Sequence, residues 1–233
     1  MMSEASKIIG EAVRSGKKFL LEPEANIVCA EYGIPLARGG FAREPSEAVR
    51  IAEEIGYPVA LKLVSPEVIH KSDVGGVFLN LKDPADVEEA YKRIALNLKE
   101  KMPKARMLGA FVQEMAEPSV EVIVGMVRDP IFGPVLMFGL GGVFVELLKD
   151  VSYRIAPISL KDASDMVKEV KAYPILKGYR GGKRLDIDSI LDVLLKTSRL
   201  AVDHKEVASL DLNPIIVYED GIKVVDAKIY ISI

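Results

Sequence analysis

The chain contains no tryptophan, one cysteine, one glutamine, one threonine and two histidines in 233 residues. A single cysteine, Cys29, cannot form an intrachain disulfide or a cysteine-rich metal site. No apolar run approaches the roughly 18 residues that a membrane span needs, and the opening MMSEASK lacks the apolar core of a signal peptide, so a soluble cytoplasmic protein is expected. Charge of one sign is also missing. Lys plus Arg number 31 and Asp plus Glu 34, a formal net charge of -3, which gives no support to nucleic-acid binding. Few amides beside abundant Glu and Lys is a thermophile-like bias. What the chain does have is apolar content, 49% of its residues, enough for a sizeable core and against wholesale disorder. At roughly 150 residues per domain the length allows one large domain or two small ones.

Apolar periodicity and punctuation predict helices over 3–15, 22–32, 45–56, 84–100, 160–171 and 186–203. Gly16, Gly33 and Gly56 mark three of the ends, and Pro23 and Pro84 fit first turns. Strands are expected over 34–37 (an edge or extended entry), 59–64, 77–81, 107–115, 120–127, 134–138 and 151–158. A closing hairpin pairs 215–218 with 222–225 around Glu219-Asp220-Gly221. No internal repeat is visible. The mixed order points to an α+β protein of two lobes, with a junction near 104–118.

Several residues can carry chemistry, and each has a plainer reading. Strand alternation places Lys62 on the face of Ala60 and Val64, either as an edge-strand lysine that discourages aggregation or as a point charge for nucleotide phosphates. His70 opens the loop His70-Lys71-Ser72-Asp73-Val74-Gly75-Gly76. An imidazole there can exchange protons near neutrality or accept phosphorus, Asp73 can orient it or pair with Lys71, and the glycines free backbone N–H groups for phosphate oxygens. The same segment also reads as a solvated turn. His204 reads as a cation at a helix C-terminus. Gly139-Leu140-Gly141-Gly142 matches neither the dinucleotide fingerprint nor the Walker pattern and is a nucleotide loop or a tight turn, with Glu146 a charged end to the strand after it. The hairpin brings Asn213 of Asp211-Leu212-Asn213-Pro214 near Asp226, an oxygen pair suited to Mg²⁺ or simply a polar hairpin base. Glu114, Glu117 and Glu121 lie near the lobe junction, to hydrogen-bond a ribose or to be solvated.

Together these segments resemble the ATP-grasp (beta) subunit of ADP-forming acyl-CoA synthetases, the acetyl-CoA synthetase group within the wider succinyl-CoA synthetase superfamily. The matching runs are Gly56-Tyr57-Pro58-Val59-Ala60-Leu61-Lys62, Ser65-Pro66, the His70–Val77 loop, Asp129-Pro130-Ile131-Phe132-Gly133-Pro134 and Phe138-Gly139-Leu140-Gly141-Gly142. Glu146, Asp150, Gly181, Asp211-Leu212-Asn213-Pro214 and Asp226-Ala227-Lys228 complete them, and the resemblance spans about residues 20–229.

The resemblance implies an ATP-grasp fold in which two α/β lobes hold ATP or ADP with Mg²⁺ between them. It implies an N-terminal helical segment, 1–20, packed on the C-terminal lobe, an N-terminal lobe over 21–108 and a C-terminal lobe over 109–233. Lys62 matches the phosphate-contacting lysine, Val112, Gln113, Glu114 and Met115 the adenine-reading hinge, Glu121 a ribose-binding acid, Gly141 and Gly142 the nucleotide loop, and Asn213 and Asp226 the Mg²⁺ ligands. His70 matches a phosphoryl-relay histidine, with Arg154 and Arg128 as further phosphate contacts. The implied reaction converts acyl-CoA, ADP and phosphate to free acid, CoA and ATP, with a CoA-binding alpha subunit as partner in an α2β2 heterotetramer. The chain stops at Ile233, seven residues beyond Asp226, as expected of the split form of the enzyme. A succinate-specific nucleotide subunit and a stand-alone carboxylate–amine ligase of ATP-grasp type are the alternatives, the first disfavoured by His70-Lys71-Ser72-Asp73.

Overall fold

Two antiparallel sheets organise the chain, each with its own hydrophobic core. The computed structural model describes residues 2–142 and 149–232, so Glu146 lies outside the described residues. One unit comprises Met1–Leu20, Glu24–Leu36 and Pro118–Ile233; the other comprises Leu21–Pro23 and Ala37–Glu117. We call them the larger and the smaller unit.

The smaller unit is a four-stranded sheet in the order β1-β4-β2-β3, from β1 (Gly39–Ala42), β2 (Val59–Val64), β3 (Val77–Leu81) and β4 (Gly109–Glu114). Helices α3 (Pro45–Ile55) and α4 (Pro84–Lys101) supply the rest of its core. In α4, Val87, Ala90, Tyr91, Ile94 and Leu98 recur at three- and four-residue spacing and are buried. The Asp83 carboxylate accepts from the Asp86 amide, and Pro84 occupies the first turn, where its missing N–H costs nothing. All six residues of β2 are buried, Lys62 included.

The larger unit has the sheet order β10-β8-β5-β6-β7, with β9 added to β8. Its strands are β5 (Val120–Asp129), β6 (Gly133–Leu140), β7 (Val151–Ile155), β8 (Val207–Val217), β9 (Ile222–Val224) and β10 (Ala227–Ile231). Val124, Met126, Leu136, Phe138, Leu210, Leu212 and Ile229 are buried. They form one cluster with Met166 of α5 (Leu160–Glu169), Leu194 of α7 (Ile187–Asp203), Ile9 of α1 (Glu4–Arg14) and Cys29 of α2 (Glu22–Glu31). A short α6 (Tyr173–Leu176) and a 3₁₀ turn, Tyr179–Gly181, precede α7. Among the described residues no helix is long and apolar enough to cross a membrane.

The structure departs from the sequence reading in four places. The stretch 34–37 makes only an isolated bridge, Leu36 to Val224, because Pro35 has no N–H to extend a ladder. The strand follows instead at Gly39-Gly40, whose glycines mask it; a Cβ on Gly39 would lie 2.5 Å from the Phe111 ring. At the C-terminus, 207–217 is one long strand and 227–231 another, so Asn213-Pro214 sits inside β8; the expected hairpin follows it, with Ile215–Val217 paired to Ile222–Val224. Finally, β4 pairs with β1 and β2, which carries the smaller unit on to Glu117, whereas the expected lobe boundary lay at 108/109; residues 24–36 group with the larger unit.

Two outcomes test this packing. A Cβ at Gly109 would meet the Ala42 carbonyl oxygen at 2.2 Å, so Gly109→Ala should lower unfolding free energy by about 1–3 kcal/mol in a denaturant titration. Cys29 is fully buried, and burial pushes its thiol up to about 12. It should therefore resist iodoacetamide at neutral pH in the native protein and react readily in guanidinium.

Candidate functional site

Within the smaller unit, β2 is an interior strand flanked by β4 and β3. Lys62 is thus not an edge lysine. Only 7% of it is exposed, and its ammonium lies 2.9 Å from Glu22 Oε1. Glu22 opens α2, its side chain is 2% exposed, and its second oxygen pairs with Lys71. Lys71 therefore pairs with Glu22 and not with Asp73.

The loop after β2 is a sequence of turns. The Asp73 amide donates to the His70 carbonyl (3.2 Å), Gly75 to Ser72 (3.0 Å) and Gly76 to Lys71 (2.8 Å). Gly75 has φ +66°, and a Cβ there would lie 2.8 Å from the Asn97 side-chain nitrogen, which explains the glycine. Asn97 donates to the Gly75 carbonyl and Lys101 to the Asp73 carbonyl, both at 2.9 Å, so α4 fastens the far side of the loop. His70 itself is exposed.

Val112, Gln113 and Glu114 end β4 and are buried. Glu114 accepts from the Arg38 amide (2.8 Å) and from Arg38 Nε (3.1 Å), and its own amide donates to the Arg38 carbonyl (2.9 Å). Its carboxylate thus anchors the residue that leads into β1. The Met115 amide donates to the Pro58 carbonyl at 3.4 Å.

In the larger unit the structure brings Glu121, Gly141 and Gly142 together. The Gly141 amide donates to the Glu121 carbonyl at 2.7 Å, and a Cβ on Gly141 would lie 2.8 Å from Glu121 Cβ. Glycine is required there by close approach alone. A Cβ on Gly142 would lie 3.8 Å from a Glu121 carboxylate oxygen, and Glu121 is exposed at the start of β5.

Asn213 and Asp226 are also neighbours. The Asn213 amide donates to the Asp226 carbonyl (3.1 Å), and the Val225 amide to the Pro214 carbonyl (2.9 Å). Asp226 Oδ2 lies 3.3 Å from Lys228, while Oδ1 is buried with no hydrogen-bond partner among the described residues. Lys228 faces Asp211 across the β10–β8 register. Burial raises the Asp211 carboxyl above its ordinary range, Lys228 opposing and Asp226 adding to the shift. Burial alone would lower the Lys228 ammonium, yet Asp226 and Asp211 hold it above its ordinary value. A buried carboxylate oxygen without a hydrogen-bond partner among the described residues fits a hard cation. Among the described residues no group of three or more His, Cys, Asp or Glu is placed to hold a metal, so such a cation would complete its shell from phosphates and water.

The remaining candidates have protein partners. Arg154 is paired with Glu169 and donates to the Tyr153 carbonyl at 2.7 Å. Arg128 donates to the carbonyls of Val207, Ala201 and His204 at 2.7–3.0 Å, which caps the end of α7. His204 is the buried C-cap of α7, its ring edge-on to Tyr32 at 5.8 Å. Asp150 accepts from the Lys171 and Ala172 amides at 2.8 and 2.9 Å. Sequence reasoning missed Glu22. An acid in the first helical turn is ordinary, and nothing local reveals that it meets two lysines, 40 and 49 residues on.

Comparison with known proteins bears on this arrangement. The ATP-grasp domain family matches residues 11–231. The Acetate–CoA ligase [ADP-forming] I subunit beta of Pyrococcus furiosus is 47% identical over 227 residues, 97% of this chain and 97% of that protein. Acetate–CoA ligase [ADP-forming] I of Archaeoglobus fulgidus is 53% identical over 229 residues; the match takes in 98% of this chain and only 33% of that protein, so the chain spans about a third of that relative. Among solved structures, the dinucleotide-forming acetyl-coenzyme A synthetase 1 of Ca. Korarchaeum cryptofilum, in complex with coenzyme A and Ca-AMPCP, superposes with a TM-score of 0.94 at 50% identity, covering 98% of this chain and 100% of that one. A second structure of it, with Mg-AMPPCP and its phosphohistidine segment pointing towards the nucleotide binding site, gives 0.86 at 48% identity and the same coverage. The two-sheet architecture, the Glu121–Gly141 contact and the Asn213–Asp226 pair thus sit in a chain that belongs to the ATP-grasp family, among the beta subunits of ADP-forming acetate–CoA ligases.

Proposed function

We propose that the chain is the nucleotide-binding subunit of an ADP-forming acyl-CoA synthetase, of the acetate–CoA ligase type. With a CoA-binding alpha subunit, in an α2β2 complex of the cytoplasm, it converts acyl-CoA, ADP and phosphate to carboxylic acid, CoA and ATP by a phosphohistidine relay. The observation that carries this reading is the end-to-end match with a protein named as a beta subunit. The geometry supports it residue by residue.

In the larger unit, Glu121 presents an exposed carboxylate suited to ribose hydroxyls, and the Gly141-Gly142 backbone beside it has no side chain to keep a phosphate away. Asn213 and Asp226 offer the hard oxygens for Mg²⁺, and Asp226 Oδ1 has no hydrogen-bond partner among the described residues. Bound Mg²⁺ neutralises phosphate charge and orients the terminal phosphoryl group. In the smaller unit, Val112, Gln113, Glu114 and Met115 are assigned to adenine. The Lys62 ammonium is shielded from water, where a charge acts on phosphate more strongly than in bulk solvent.

His70 is assigned the relay. Its imidazole is exposed, so a phosphoryl donor from the partner can reach it, and a ring nitrogen can attack phosphorus and later surrender the group to ADP. Arg154, held by Glu169, is assigned a supporting phosphate contact.

Reconstitution with the CoA-binding subunit should give phosphate-dependent ATP formation, and a scan of acetyl-, phenylacetyl- and succinyl-CoA should favour acyl groups other than succinyl. His70→Asn should keep nucleotide binding while cutting net ATP formation by roughly 10²–10⁴-fold. Unchanged ATP formation removes the relay from His70. Asp226→Asn should weaken Mg²⁺-dependent nucleotide binding about 10-fold or more in calorimetry, with little effect on binding in EDTA.

A further inference from the structure

Glu22 is a buried carboxylate that none of the assigned roles uses. It faces two ammonium groups from different parts of the smaller unit: Lys62, on the interior strand β2, and Lys71, beside His70 in the following loop. One oxygen serves each lysine. The side chains of Glu22, Lys62 and Lys71 are 2%, 9% and 17% exposed, so water competes little for these contacts.

The position of the link in the loop gives it meaning. Val68 is anchored in the core, and from Asp73 onward α4 holds the loop through Lys101 and Asn97. Between those anchors, over residues 69–72, the Lys71–Glu22 contact is the side-chain hydrogen bond found among the described residues. The backbone adds turn bonds: the Asp73 amide donates to the His70 carbonyl and the Gly75 amide to the Ser72 carbonyl, towards the part of the loop that α4 holds, while the Gly76 amide donates to the Lys71 carbonyl and the Leu63 amide to the Gly76 carbonyl at 2.7 Å. The Lys71 side chain and the Gly76 bond both lead to β2, at Lys62 and its neighbour.

We propose that Glu22 is a positioning residue, a latch that fastens the His70 segment to the lysine assigned to the nucleotide phosphates and so fixes the relay histidine relative to the phosphoryl acceptor. The proposal rests on the reading of His70 and Lys62 given under Proposed function. A carboxylate suits the task because it clamps both ammoniums, while two cations against one anion leave the site net positive for phosphate. Phosphoryl transfer depends on alignment, so a loosened latch costs rate rather than nucleotide affinity.

The gentler probe is Lys71→Met, at the more exposed end of the latch; Glu22→Gln leaves two ammoniums without their carboxylate and strains the fold more. In the full-length chain, hydrogen exchange at the amides of Asp73 and Gly76 should quicken by about 10-fold in Lys71→Met, with α4 unchanged. Unaltered exchange overturns the latch. In the complex with the CoA-binding subunit, Lys71→Met should lower kcat for ATP formation by roughly 10–100-fold while KM for ADP stays within about 3-fold, and Lys71→Arg should recover much of kcat. A raised KM with kcat intact, or an unchanged kcat, overturns the positioning role. If the unaltered complex makes no ATP, the functional reading fails, and the exchange measurement still decides the latch.

Discussion

Burying the Lys62 ammonium on an interior strand is the constraint around which the smaller unit is arranged. A charge in that position is tolerable only if an opposite charge is brought to it, because an isolated buried ion costs far more than any packing gain returns. The counter-charge is Glu22, which α2 delivers from 40 residues earlier. Around this pair β2 has hydrogen-bonded neighbours on both sides and apolar side chains along its length. The exposed ion pairs elsewhere, such as Arg50–Glu54 and Lys161–Asp165, are one-turn helix pairs screened by solvent, and they contribute little. The contrast separates the charges that decorate this protein from those that organise a site.

The larger unit treats polar groups differently. Arg128, Asp150 and Asp186 are spent on the ends of elements: three carbonyls near the close of α7, two amides at 171–172, and the start of α7 with the amide of Gly221. Such groups satisfy backbone atoms that helix ends leave over. Among the described residues, Asp226 Oδ1 is one of three buried side-chain atoms of this unit without a hydrogen-bond partner, with Thr197 Oγ1 and His204 Nε2, and the only carboxylate oxygen of the three.

Legibility in the sequence followed locality. β2 and β3 were readable to the residue, because six apolar-rich positions after Pro58 and five after Gly76 leave no other period. α4 was readable from Pro84 and its spacing. β1 was not, because Gly39-Gly40 is shaped by closeness to Phe111, a partner about 70 residues away. The first half of β8 was not, because Asp211, Asn213 and Pro214 break the apolar strand pattern. At the site, the individual residues were visible as types, and the resemblance supplied roles for them. The juxtapositions were not visible: Glu121 against Gly141, Lys71 on Glu22 rather than Asp73, and Arg128 on helix carbonyls. Each depends on distant chain segments meeting, which no local pattern encodes.

The order in which the two units use the chain has a consequence for synthesis. Apart from residues 21–23, the smaller unit is one continuous stretch, 37–117, and all its strands and helices have emerged before the sheet of the larger unit begins. It can close first. The larger unit is assembled from both sides of that stretch: Ile9, Val28 and Cys29 are buried in the same core as Leu210 and Ile229, and the Leu20 amide donates to the Ile229 carbonyl. On the ribosome the apolar faces of α1 and α2 are therefore made early and must wait for nearly two hundred further residues before their partners exist, an interval of about 10–40 s at ordinary elongation rates. During synthesis, the spans most in need of protection from aggregation are therefore α1 and α2.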